Sequence, residues 1–258
     1  MLKILEKVNE IESGEVGMII FSQLKQEIVL SHNEKLVVPL ASAAKVAIGF
    51  CIAKSVEEGN CKWYDIIKNI SYDPNEDSNE LYPHFQNREN LTLQEAVEVM
   101  IACHDQSVAN SIVQFLGGWE KANQMIKSYF PRVNISPDPR SSDNKGELNH
   151  LMNLLCEVYQ GYEQNPVLWH PLLNGLVRQR GEIDGIPSHL LNHMTGGLED
   201  LIVDMGIMGE FTKHPLLYVL GAKNLPNRYQ EKLADEKIME VMKKIYNEYC
   251  DQGDAQIR

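Results

Sequence analysis

The sequence predicts a protein of the α/β class, α+β in type, in which an antiparallel sheet of about five strands, flanked by terminal helices, carries an inserted all-helical domain. Three observations predict it. Strand-like runs occur near both ends of the chain, the long middle shows helical periodicity, and each terminus carries an amphipathic helix. A sheet assembled from both ends with helices between them follows.

Leu2, Ile4, Leu5, Val8 and Ile11 recur at helical spacing, so residues 2 to 12 are expected to form a helix ending at Ser13-Gly14. "EVGMIIFS" and "EIVLSH" read as two strands joined by the polar "QLKQ", a hairpin. The pattern changes at Pro39 to a helix expected over roughly 42 to 58, stopped by Gly59-Asn60. From about 60 to 190 the signals are mostly helical. "LTLQEAVEVMIACHD" opens with a capping box, Thr92 and Glu95, and is followed by "SVANSIVQFLGG", "WEKANQMIKSYF" and "ELNHLMNLLCEVYQG". The run "DPNEDSNE" reads as a solvated loop. Strands return as "LIVDMGIMG" and "LLYVLGAKN". A last helix then aligns Ile238, Val241, Met242, Ile245 and Tyr249 on one face. The expected units are a sheet domain from 1–41 and 191–258 and a helical domain from 42–190, with a site at their junction.

The chain has 258 residues, 43% of them hydrophobic and 23% charged, which is the composition of a globular protein that buries its own core. Its formal net charge of −12 would repel nucleic acid and anionic membranes, so small molecules or proteins are the expected partners. The amino terminus lacks an uninterrupted apolar core with a small-residue cleavage site, and no segment reaches the ~20 apolar residues of a membrane span. Cys51, Cys61, Cys103, Cys156 and Cys250 form an odd, scattered set without a C-x-x-C pair. Free thiols and a cytoplasmic location are the expectation.

The most informative stretch is "VVPLASAAKVAIGF", in which Ser42 and Lys45 sit three residues apart among apolar neighbours. At that spacing a helix places the amine one turn from the hydroxyl. Lysine is rarely buried, because a low-dielectric surrounding disfavours its charged form and lowers its pKa. A lysine so treated can serve as the base for a serine nucleophile, and the positive end of the helix favours a developing oxyanion. S-x-x-K alone occurs by chance in many chains, and the plain alternative is that Ser42 caps the helix while Lys45 reaches solvent.

Two further stretches follow in order, "MIACHDQSVANSIVQFLGG" and "HMTGGLEDLIVDMGIM". Together with "PLASAAK" they resemble the S-x-x-K, S-D-N and K-T-G motifs of the class A β-lactamase and penicillin-binding-protein superfamily. The resemblance covers most of the chain and implies a β-lactamase/transpeptidase-like fold and an acyl-enzyme on Ser42, with Lys45 as base. It further implies an oxyanion hole from the N–H groups of Ser42 and Gly197, with Gln106, Thr195 and Gly196 against the substrate. Two motifs depart from the pattern. His104 replaces the serine of S-D-N, Asp105 is kept, and Gln106 replaces the asparagine; an imidazole can move protons near neutral pH, so His104 is the expected helper for the leaving group. Met194 replaces the lysine of K-T-G, which removes the charge that would hold a substrate carboxylate, and a regular strand turns the adjacent His193 to the other face.

"NISPDPRSSDN" contains no glutamate to activate water, and Asp138 and Asp143 read as turn or cap residues. His189 and His193 have a metal-ligand spacing without a carboxylate between them, and Cys103 lies on an apolar helix face. Neither a metal nor another cofactor is expected. The function expected is a serine hydrolase acting on a small amide or ester, with weak or no β-lactamase activity. The alternatives are a catalytically retired member that binds a ligand or protein in the same cleft, and a glutaminase-like amidase.

Overall fold

A computed structural model describes residues 1–256, so residues 257 and 258 of the expected sheet domain lie outside the described residues. The helices are α1 (Leu2–Asn9), α2 (Ala44–Glu57), α3 (Ser78–Leu81), α4 (Leu93–Ala102), α5 (Gln106–Leu116), α6 (Trp119–Tyr129), α7 (Leu148–Gln164), α8 (Pro166–Arg178) and α9 (Leu233–Gln256). The main strands are β1 (Glu15–Ser22), β2 (Glu27–His32), β8 (Leu191–Leu198), β9 (Leu201–Met208) and β10 (Leu216–Lys223). Between them run the short strands β3 (Val37–Pro39), β4 (Ile66–Lys68), β5 (Asn90–Thr92), β6 (Val133–Asn134) and β7 (Lys145–Glu147).

The main sheet has five antiparallel strands in the order β2-β1-β10-β9-β8. All eight residues of β9 are buried, as a central strand covered on both faces requires. Alternate side chains feed two cores. Met18, Ile20, Tyr218 and Leu220 meet Ile4 and Val8 of α1 and Ile238, Val241, Met242 and Ile245 of α9. Ile19, Met194, Val203, Met205, Leu217 and Val219 join the core made with the central helices. The period-two alternation of the strands thus builds three layers, terminal helices, sheet and central helices, with β1, β8, β9 and β10 each feeding one core from each face.

Helix α2 is buried nearly all round, which is why its sequence is apolar rather than amphipathic. The Thr92–Glu95 capping box forms as expected, Thr92 Oγ1 accepting from Glu95 N at 3.2 Å and Glu95 Oε2 from Thr92 N at 2.8 Å. Three local differences from the sequence expectation appear. Helix α1 stops at Asn9, although Ile11 stays buried. The α-helix expected from residue 42 begins at Ala44, after a 3₁₀ turn at Ala41–Ala43. The middle of the chain also holds two small sheets, β4-β5 and β3-β7-β6, because strands of two or three residues are too short to show a period. No helix among the described residues is long and apolar enough to cross a membrane.

Candidate active site

Ser42 occupies the 3₁₀ turn that leads into α2. The residue before it, Ala41, has φ of +45°, a left-handed conformation that costs a non-glycine residue about 1 kcal/mol or more. Asn144 holds it there. This fully buried side chain donates from Nδ2 to Ala41 O at 3.1 Å and to Pro139 O at 3.0 Å, while Leu40 N donates to Asn144 O at 2.8 Å.

Lys45 lies one turn beyond Ser42 and is only 2% exposed. Its Nζ donates to Ser42 Oγ at 3.4 Å and to Gln106 Oε1 at 3.0 Å, and Gln106 Nε2 donates to Pro137 O at 3.1 Å. The serine–lysine separation is at the long end of the hydrogen-bond range. Burial pushes the Lys45 amine down to about 8, against the attraction of Glu76, Asp105 and Asp73. The polar contacts close a circuit: Ser42, Lys45, Gln106, the 137–139 loop, Asn144 and back to Ala41.

His104 bridges α4 and α5 with φ of +57°. Gln179 Nε2 lies 2.9 Å from its Nε2 and also contacts Arg180 O. Burial, then the nearby Lys45, pushes the imidazole down to about 4. His104 is therefore a neutral imidazole at physiological pH rather than an imidazolium. Asp105 is the N-cap of α5, accepting from Val108 N at 3.0 Å and from Asp73 N at 3.1 Å. That second bond anchors the 73–77 segment beside the site, where the half-buried Glu76 carboxyl is pushed up by burial and pulled back by Lys45. The expectation of a simply solvated loop is corrected here, because its carboxylates act on Lys45.

Strand β8 presses against the nucleophile turn at Gly196. A Cβ there would meet Ala43 N at 3.0 Å, Ser42 N at 3.1 Å and, closer still, Leu40 O. Only glycine permits the approach. Gly197 follows, exposed beside the Arg228 guanidinium. Met194 is wholly buried in the core with the central helices, and His193 turns to the other face as the alternation requires.

On that other face lies a network that sequence reasoning missed. Asp204 accepts from His193 Nδ1 at 3.0 Å, from Thr195 Oγ1 at 2.9 Å and from Tyr218 OH at 2.7 Å. Burial alone would raise the Asp204 carboxyl, but His193 and the two hydroxyls hold it below its ordinary value, and Asp204 holds the imidazole above its own. A raised histidine stabilises the fold below its unfolded pKa and loses that contribution as pH rises through the folded one; a depressed carboxylate loses its contribution as pH falls through its folded pKa. The stability difference between wild type and His193→Gln is accordingly expected to be largest in mildly acidic buffer and to shrink as pH rises past the ordinary histidine range, measured by urea unfolding at a series of pH values.

Other candidates do not assemble. His189 lies on the Ser188–Leu190 turn, and His193 Nδ1 is engaged by Asp204. Among the described residues no cluster of three or more His, Cys, Asp and Glu side chains is arranged to hold a metal. Burial pushes the Cys103 thiol up to about 12, so it is inert as a nucleophile.

The family model described as the β-lactamase enzyme family matches residues 3–249. Among solved structures the chain is similar to PBP-A, with 21% identity over 97% of this chain and 95% of that one and a TM-score of 0.79. It is also similar to a β-lactamase from Chitinophaga pinensis, with 17% identity, 95% of this chain and 97% of that one covered, and a TM-score of 0.78. A β-lactamase from Xanthomonas campestris pv. campestris gives 14% identity, coverage of 94% and 97%, and a TM-score of 0.75. A search of curated proteins finds no match. With a family match over nearly its whole length and the same fold as these structures, the chain belongs to the β-lactamase enzyme family.

Proposed function

We propose that the protein is a serine hydrolase that forms an acyl-enzyme on Ser42 from a small amide or ester. The observation that carries this reading is the buried Lys45 amine, 3.4 Å from Ser42 Oγ and pushed down to about 8. A lysine with its pKa lowered to about 8 supplies a free-base fraction close to neutral pH that an ordinary lysine does not. Ser42 Oγ attacks the carbonyl carbon as its proton passes to Lys45 Nζ. The oxyanion is received by the N–H groups of Ser42 and Gly197, at the seam where Gly196 lets β8 approach the turn. Collapse expels the amine or alcohol, which takes the proton back from Lys45, with the neutral His104 imidazole expected to help at the leaving group. Water then hydrolyses the ester. Gln106 orients Lys45 through its Oε1, while its amide hydrogens are held by Pro137 O and Asn110 Oδ1.

One of the similar solved structures is a mutant of PBP-A as an acyl-enzyme complex with penicillin G. Acylation chemistry is thus compatible with this fold, and it comes to this chain only through its own Ser42 and Lys45. Incubation with a fluorophosphonate is expected to add one phosphonyl group to the wild-type protein and none to Ser42→Ala, read by intact mass. Labelling that persists in Ser42→Ala, or none in wild type, would overturn the reading. The wild-type labelling rate should rise with pH through an apparent pKa near 8, the direction of Lys45 deprotonation.

A further inference from the structure

The Asp204 network fixes the direction of one hydrogen bond at the edge of the cleft. Asp204 is 4% exposed and accepts from His193, Thr195 and Tyr218. An ionised carboxylate can only accept, so the single hydrogen of the Thr195 hydroxyl is directed inward, to Asp204 Oδ2 at 2.9 Å. His193, Asp204 and Tyr218 are buried; Thr195 is the one member of the network that keeps surface exposed. It sits on edge strand β8, next to the glycine that abuts Ser42 N. What the Thr195 hydroxyl has left to offer a substrate is its lone pairs.

The surrounding charges point the same way. Met194 supplies no charge, and the Lys45 amine is directed to Ser42 and Gln106. Arg228, the guanidinium beside Gly197, is engaged by Asp235 and by the carbonyls of Leu198 and Leu201, and Arg180 pairs with Glu80. A carboxylate laid along β8 would meet an acceptor at Thr195 and a buried anion behind it. A donor laid there would meet a partner already oriented.

We propose that Thr195, its polarity set by Asp204, is a specificity-determining residue that accepts a hydrogen bond from the substrate, so that the protein hydrolyses amides or esters bearing an N–H donor beside the scissile carbonyl and rejects those bearing a carboxylate there. This rests on the reading of Ser42 as the nucleophile. An ammonium and a neutral amide share the required N–H.

The test uses aryl esters of equal size whose acyl chains carry an ammonium, a primary amide, a methyl or a carboxylate group at one position. Wild type is expected to release the aryl group from the ammonium and amide esters at least about tenfold faster than from the carboxylate ester, the scale of one satisfied against one unsatisfied buried polar contact. Thr195→Ser should retain that ratio and Thr195→Val should lose it. Asp204→Asn can donate to Thr195 and so frees its hydroxyl hydrogen to turn outward, which should move the preference toward the carboxylate ester. A carboxylate ester that reacts as fast as the others in wild type, or a ratio unchanged in Thr195→Val, would overturn the assignment. Fluorophosphonate carries neither group and separates the two levels: no adduct on Ser42 removes the nucleophile and this inference together, whereas an adduct without discrimination among the esters removes only the role of Thr195.

Discussion

Replacing Lys45 by methionine is expected to slow covalent modification of Ser42 by orders of magnitude and, at the same time, to stabilise the fold. The amine is 2% exposed and its pKa falls from 10.5 to about 8, so the folded state disfavours the charged form by about 3 kcal/mol at neutral pH. Methionine fills nearly the same volume without that penalty. Against it stand the loss of the bonds to Ser42 Oγ and Gln106 Oε1, about 1 kcal/mol each. A net gain of about 1 kcal/mol should remain at neutral pH, while fluorophosphonate labelling falls by about 10²–10⁴, the range typical of a lost general base. The sign also fixes a pH signature. Between about 8 and 10.5 the unfolded lysine still holds its proton and the folded one does not, so wild-type stability carries a rising contribution across that window. Lys45→Met should lack this contribution. Urea midpoints at about pH 7 and about pH 10 for both proteins check it, and a variant less stable than wild type at neutral pH would contradict the assigned cost.

Gly196→Ala is the second large effect, and it acts through backbone rather than charge. The added carbon would fall within 3.1 Å of Ser42 N and within 3.0 Å of Ala43 N, and closer to Leu40 O. All three are main-chain atoms of the nucleophile turn, which is itself tied to Asn144, so none can yield as a flexible side chain would. Strand and turn must separate. A destabilisation of about 2–3 kcal/mol is expected, with Ser42 labelling reduced by at least about 10², since the oxyanion donors would no longer converge. Thermal melting and labelling kinetics on the same preparation measure both. Gly197→Ala, whose neighbour is the end of the Arg228 side chain, should be tolerated far better in stability.

How much of this was legible in the sequence depended on the range of the interaction. The hairpin β1–β2 and the capping box at Thr92 are local, with their signals inside a few residues, and both formed as expected. Ser42 and Lys45 are three residues apart and needed only a helical turn to meet. The 3₁₀ start of that turn was not legible, because it is imposed by Asn144 from more than a hundred residues away. The Asp204 network joins β8, β9 and β10 by register, and in the sequence Asp204 was a polar residue inside an apolar run with no visible partner. The 73–77 segment looked solvated because it is polar; its anchor is the far side of a helix cap, Asp105, whose second carboxylate oxygen reaches back to it. His104 was legible as a substitution in a motif, but its neutrality comes from burial and from Lys45, which only packing could show.

The hold of Asn144 on Ala41 also has a consequence for the order in which the chain assembles. The two residues are 103 positions apart, and the contact joins a strained turn to a loop from the middle of the chain. A contact of such separation is slow to form, because a large loop must close before it is rewarded. Without it the left-handed residue before Ser42 relaxes, and the hydroxyl, the amine and the glycine seam do not converge. On the proposed reading, nascent and partly unfolded chains carry the serine and the lysine without a working nucleophile, and reactivity toward acyl donors is expected only of the finished fold.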